Sequence, residues 1–198
     1  MSELENISSD MNYLNISEIK SICEDLSIPY RILYQKEGRV RKTSTYDRKD
    51  VLLERIRGFL FAGMFSEPTI LSSQVVNFTP LTFPQKEADL IYFGQYKNGN
   101  TDIDGLMKKL TGGLFKNGAI AYDVLREYWT KGKAPSYKEF AQAWMKAVEK
   151  HLQPKPEWAY LTDLASGHDM RSWKRFREEK AQVVLTYIKS HMQNRVKK

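Results

Sequence analysis

Apolar residues in this 198-residue chain recur at steps of three and four, and proline or glycine cuts most such stretches short. Pro29, Gly63, Pro80, Pro84, the pair Gly112-Gly113, Gly132, Pro135, Pro154 and Pro156 are the cutting points. A helix cannot run through an interior proline without losing a hydrogen bond and clashing with the preceding turn. Short helices are marginal alone in water, so they must bury their apolar stripes against one another. A hydrophobic content of 41% with 12% aromatics supplies the material for a core. The expected fold class is therefore mainly α, with minor β content.

The stretch from Leu14 to Leu60 is the most specific. Ile16, Ile19, Ile22, Cys23 and Leu26 line one face of a first helix, with Asn15 as cap and Glu18 three residues on, as in a capping box. Pro29 ends it. Val51, Leu52, Ile56, Phe59 and Leu60 stripe a second helix, for which Asp47 is the expected N-cap. Between the two, Ile32-Leu33-Tyr34, Lys36-Glu37-Gly38 and Arg39 to Tyr46 read as strand, turn and strand, a β-hairpin. Period two puts Arg39 and Arg41 on one face of its second strand.

At these residues the segment resembles a SAP domain, a helix–extended loop–helix module. The resemblance rests on Ile19-Lys20, on Leu26-Ser27-Ile28-Pro29 and on Lys49-Asp50-Val51-Leu52-Leu53-Glu54-Arg55-Ile56. It covers about a quarter of the chain, and the stretch Arg31 to Tyr46 is inserted relative to the short loop of the family. The resemblance implies nucleic-acid binding, DNA ahead of RNA, with some members binding RNA or protein.

Charge points the same way. The chain carries 31 basic and 24 acidic residues, a net +7. Residues 28–60 hold nine bases against four acids, and residues 169–198 hold nine against three, whereas residues 1–27 hold one against six. Clustered cations are the footprint of phosphate binding, and backbone contact is the default role for such residues. The candidate nucleic-acid-binding residues are Arg31, Lys36, Arg39, Arg41, Lys42, Arg48 and Lys49, with Arg171, Lys174, Arg175 and Arg177 on the last helix. The competing reading of each is a solvated basic face.

The expected organisation is a flexible acidic N-terminus (1–12), a SAP-like module with the inserted hairpin (13–62), an extended connector (63–100) and a multi-helix domain (101–198) that offers a surface for a protein partner. The connector is expected to hold a short strand near Gln74–Phe78 and a short helix over Glu87–Tyr96, followed by a turn at Lys97-Asn98-Gly99-Asn100. Beyond Asp104, Leu106, Met107 and Leu110 begin one helix. Ile120, Val124, Leu125 and Tyr128 stripe the next. Ser136 to Glu139 is a capping box opening a helix through Leu152, with Phe140, Ala143, Trp144, Ala147 and Val148 inward. Glu157 to Ala165 is one more short helix, and a last one runs from Met170 to Asn194 with Trp173, Phe176, Val183, Val184, Tyr187 and Ile188 as its stripe. Four tryptophans at near-even spacing read as core anchors, since the residues around them do not repeat.

Catalytic signals are weak. Asn100-Thr101-Asp102-Ile103-Asp104-Gly105 resembles the first half of a calcium-binding EF-hand loop. The position that needs a closing Glu is Thr111, beside Lys108-Lys109, so an Asx turn capping a helix is the better reading. Gly112-Gly113 lacks the lysine and spacing of a phosphate-binding loop. His151, His168 and His191 lack metal-ligand spacing. Gly167-His168-Asp169 reads as a helix start, and Glu178-Glu179-Lys180 lies mid-helix rather than on a nuclease strand. No catalytic residue, metal or cofactor is assigned. Cys23 is the one cysteine, which excludes an internal disulfide framework and suits a reducing compartment. No apolar run approaches the roughly 18 residues of a membrane span, and the polar, acidic N-terminus is unlike a secretory signal. A cytoplasmic or otherwise intracellular protein, with nucleoid or nuclear association in scope, is expected. The leading reading is a non-catalytic nucleic-acid-binding protein. A protein-interaction adaptor is the second reading, and a nucleic-acid-processing enzyme the third.

Overall fold

The computed structural model describes residues 3–96, 100–151, 155–159 and 170–196. It is mainly helical with one small three-stranded sheet. The chain divides into two compact units. One gathers Met1–Arg31, Tyr46–Pro68 and Pro154–Lys198, and the other gathers Ile32–Thr45 and Thr69–Gln153.

In the first unit, α1 (Glu3–Asp10) and a 3-10 turn (Met11–Tyr13) precede α2 (Ile16–Asp25), α3 (Lys49–Ala62) and the long α7 (Met170–Val196). The capping box forms as expected: Asn15 Oδ1 accepts from Ser17 N and Glu18 N, and Glu18 accepts from Asn15 N. Ile19, Ile22 and Cys23 of α2, Leu52, Leu53, Ile56, Phe59 and Leu60 of α3, and Ala181, Val184 and Ile188 of α7 share one core. Each fully buried aliphatic side chain there contributes about 1.5–3 kcal/mol of transfer free energy. Gly63 closes α3 in the left-handed region at φ 64°.

Four expectations for this unit change. The N-terminal segment is helical and packed: Ile7, Met11 and Leu14 are buried, and Lys180 holds Asp10 at 3.0 Å. Ile16 is exposed, because the face toward α3 starts one turn later. Arg48, not Asp47, occupies the N-cap of α3. Asp47 is buried and paired with Arg55 at 2.8 Å, while Arg55 also donates to Pro29 O, so the carboxylate fixes a buried cation instead of the helix start. On α7, Phe176 and Val183 of the expected stripe are exposed.

In the second unit, β1 (Arg31–Lys36) and β2 (Arg39–Tyr46) form the hairpin, all but their outermost residues Arg31 and Tyr46 belonging to this unit. The two central residues of its turn, Glu37 and Gly38, both have positive φ, at 53° and 72°, the signature of a two-residue type I′ loop. The sheet order is β2-β1-β3, with β3 (Ile70–Leu71) parallel to β1 in the register Leu33↔Ile70 and Tyr34↔Leu71. The helices are α4 (Thr101–Leu110), α5 (Ala119–Thr130) and α6 (Tyr137–His151), the last opened by the Ser136–Glu139 capping box.

The stretch read as a connector is part of this unit's core. Leu71, Val75, Ile91, Phe93 and Tyr96 are buried with Met107, Leu125, Trp129, Phe140 and Trp144. Over Glu87–Tyr96 there is no helix. Phe93 bridges Val76, Leu90 bridges Ser136, and Ile91 N donates to Pro135 O. These non-local partners satisfy backbone groups that a helix would have satisfied locally. The 101–198 stretch is also divided, since α4 to α6 belong to the second unit and α7 to the first. The turn at 97–99, the helix expected over Glu157–Ala165 beyond residue 159, and Gly167-His168-Asp169 lie outside the described residues; Pro156–Trp158 forms a 3-10 turn.

Candidate nucleic-acid interface

The hairpin is pinned at its root and bare at its tip. The Thr43 hydroxyl donates to Ile32 O at 2.7 Å and accepts from Thr45 N at 3.0 Å. Leu33 N donates to Thr69 O at 2.8 Å, and Ile32 is buried in the core. From Gln35 to Lys42 every residue is exposed. Four of those eight are cations: Lys36, Arg39, Arg41 and Lys42. Only Arg41 has an ion partner among the described residues, Glu37 at a long 3.7 Å. Exposed pairs of this kind contribute about 0–1 kcal/mol.

The two-residue loop sets Lys36 opposite Arg39 and Tyr34 opposite Arg41. Since opposite residues share a face, Tyr34, Lys36, Arg39 and Arg41 fall on one face of the ribbon, and Val40 and Lys42 on the other. Strand β2 is also the edge of the sheet, and charged side chains there discourage another strand from pairing.

The remaining candidate cations have different situations. Arg31 lies over the rings of Tyr30 and Tyr46, 5.5 and 5.3 Å from their centroids. Those rings stack 5.8 Å apart, and Lys20 Nζ sits 3.4 Å over Tyr46. This cation–aromatic stack was missed in the sequence, although folding β2 back on β1 brings together the aromatic residues that flank the hairpin. Arg48 pairs with Asp50 at 3.2 Å. Lys49 is half-buried, donates to Asn12 O at 2.7 Å, and has its pKa pushed down to about 7 by burial. Beside it on α3, Arg57 holds Ser8 and Asn12. Arg177 is bound through two nitrogens to Glu18. Lys49 and Arg177 therefore serve the packing of the first unit. Arg171, Lys174 and Arg175 are exposed on α7, and Arg175 pairs with Glu179 at 3.0 Å.

The other sequence signals resolve structurally. Asn100 caps α4 by accepting from Asp102 N and Ile103 N, so the EF-hand-like residues form the first turn of a helix. Gly112 and Gly113, at φ 62° and 87°, make the turn that follows it. Cys23 is fully buried, and burial pushes its thiol up to about 12. A thiol so held is inert as a nucleophile. Among the described residues no group of three or more His, Cys, Asp or Glu could hold a metal ion, and no helix is long and apolar enough to cross a membrane.

Comparison with protein-family models, with curated proteins and with solved structures finds no match to this chain.

Proposed function

We propose that this chain is a non-catalytic nucleic-acid-binding protein that grips phosphates through the β1–β2 hairpin, and that α2 and α3 are a SAP-like helix pair into which the hairpin is inserted. The observation that carries the reading is the hairpin tip: four cations among eight exposed residues, with one long ion pair between them and Glu37. Cations that the fold does not use internally are available to displace counterions from a phosphate backbone. A two-stranded ribbon also has the dimensions to follow a nucleic-acid groove. Arg171, Lys174 and Arg175 on α7 are additional phosphate contacts in this proposal.

The test is a titration of labelled DNA against the full chain at two salt concentrations. Binding that weakens steeply with salt, and that is lost when Lys36, Arg39, Arg41 and Lys42 are replaced by Ala, supports the reading. No binding to single- or double-stranded DNA or RNA at low salt ends it.

A protein partner is the second reading, favoured by Met64 and Phe65, which stand 60% and 82% exposed just beyond α3. Large apolar side chains adjacent in the chain and this exposed suit a partner surface better than a free one.

A further inference from the structure

The basic face of the hairpin does not end in polar residues. At its root stands Tyr34, half-buried, whose ring meets Phe78 edge-on at 5.3 Å. Phe78 is 49% exposed. It also meets Phe93 edge-on at 6.3 Å, and Phe93 is buried against Trp129. Gly94, at φ 96°, lies beneath it: a Cβ at that position would come within 2.5 Å of Phe78 Cδ1. Thr79 N donates to Asn77 Oδ1 at 2.9 Å, and Asn77 N donates to Phe93 O at 2.9 Å, which fixes the backbone on either side. Phe78 is thus held by its neighbours on several sides and still presents about half its surface to solvent.

We infer that Phe78, with Tyr34, is a stacking platform for an unpaired base, and that the nucleic acid taken by this protein is a single strand whose phosphates run along Lys36, Arg39 and Arg41. The inference rests on the phosphate-binding reading of the hairpin and narrows its ligand. The physical reason is the combination. A row of cations alone attracts any polyanion, and an exposed ring alone attracts any apolar group. Together on one unit they match a flexible strand, which offers charged phosphates and free base faces in alternation. A duplex keeps its base faces stacked inside and has nothing to place on Phe78.

The test uses the full chain and three labelled probes of equal length: a mixed-sequence single-stranded DNA, the same strand paired as a duplex, and a single strand of abasic sites. The wild type is expected to bind the base-carrying strand most tightly. Phe78→Leu keeps an apolar side chain but removes the π face. It should weaken binding of the base-carrying strand by about five- to a hundred-fold and leave the abasic strand unchanged, while Phe78→Trp should restore it. Binding of the abasic strand as tightly as the base-carrying one, or Phe78→Leu indistinguishable from wild type on the base-carrying strand, overturns the inference and leaves phosphate binding by the hairpin standing. Failure of the wild type to bind any of the three, or the same single strand and duplex made of RNA, overturns both.

Discussion

Arg177 donates to both carboxylate oxygens of Glu18, at 2.9 and 3.1 Å, while the same carboxylate accepts from Asn15 N at 2.7 Å. One side chain thus caps α2 locally and ties it to α7, 159 residues away in sequence. The two roles separate by mutation. Glu18→Gln keeps an acceptor for the cap and weakens the ion pair, so it should cost about 0.5–1 kcal/mol. Glu18→Ala removes both and should cost about 1–2 kcal/mol more. Urea unfolding of the two variants measures the difference, and equal costs would mean that the cap contributes nothing.

The Asp47–Arg55 pair, 2.8 Å apart and buried on both sides, makes a sharper demand. Asp47→Ala takes the paired carboxylate away from a buried guanidinium, and should cost about 3–5 kcal/mol. A double replacement by Leu at 47 and Met at 55 should cost less than Asp47→Ala alone, because it removes the buried cation together with its carboxylate. Chemical denaturation of the single and double variants checks the order.

Lys49 gives a pH dependence. Its folded pKa, about 7, lies below its unfolded value because burial disfavours the cation. Between pH 7 and the ordinary lysine range the unfolded chain therefore binds more protons than the folded one, and stability rises with pH. Below pH 7 this contribution is lost. The gap in Tm between wild type and Lys49→Met should shift in favour of wild type as pH goes from 7 to 8.5. The raised thiol pKa of Cys23 acts in the opposite direction, but both proteins carry Cys23, so it cancels in the gap. A gap that does not move with pH contradicts the buried setting of Lys49.

At the hairpin turn, Glu37 adopts φ 53° and places a carboxylate 3.7 Å from Arg41. Asn tolerates that backbone region better than Glu and carries no charge. Glu37→Asn should raise thermal stability slightly and tighten DNA binding at low salt by a few-fold. Weaker binding would show that Glu37 orients Arg41 for its ligand.

Much of this was legible in the sequence where the physics is local. Asn15 with Glu18 and Ser136 with Glu139 announce their helices because capping involves residues three apart. The hairpin was legible from alternation and from Glu37-Gly38. The segment Leu90-Ile91-Tyr92-Phe93 was not, because an apolar run suits helix and strand alike, and its partners Val76, Pro135 and Ser136 lie far away in sequence. Charge gave the candidate cations but not their availability: nothing near Lys49 or Arg177 in sequence shows that Asn12 and Glu18 hold them. Phe78 was hidden for the same reason, since its setting depends on Tyr34, Phe93 and Gly94.

The central claim is that the hairpin cations bind phosphates, and the salt dependence of affinity tests it most directly. Wild type and the variant with Ala at 36, 39, 41 and 42 are titrated with one oligonucleotide from about 50 to 200 mM salt, the range over which counterion release changes affinity strongly. Three phosphate contacts, from Lys36, Arg39 and Arg41 on one face of the hairpin, predict that the slope of log K against log salt on a single strand is steeper in wild type than in the variant by about 2. Equal slopes and equal affinities in the two proteins would contradict it.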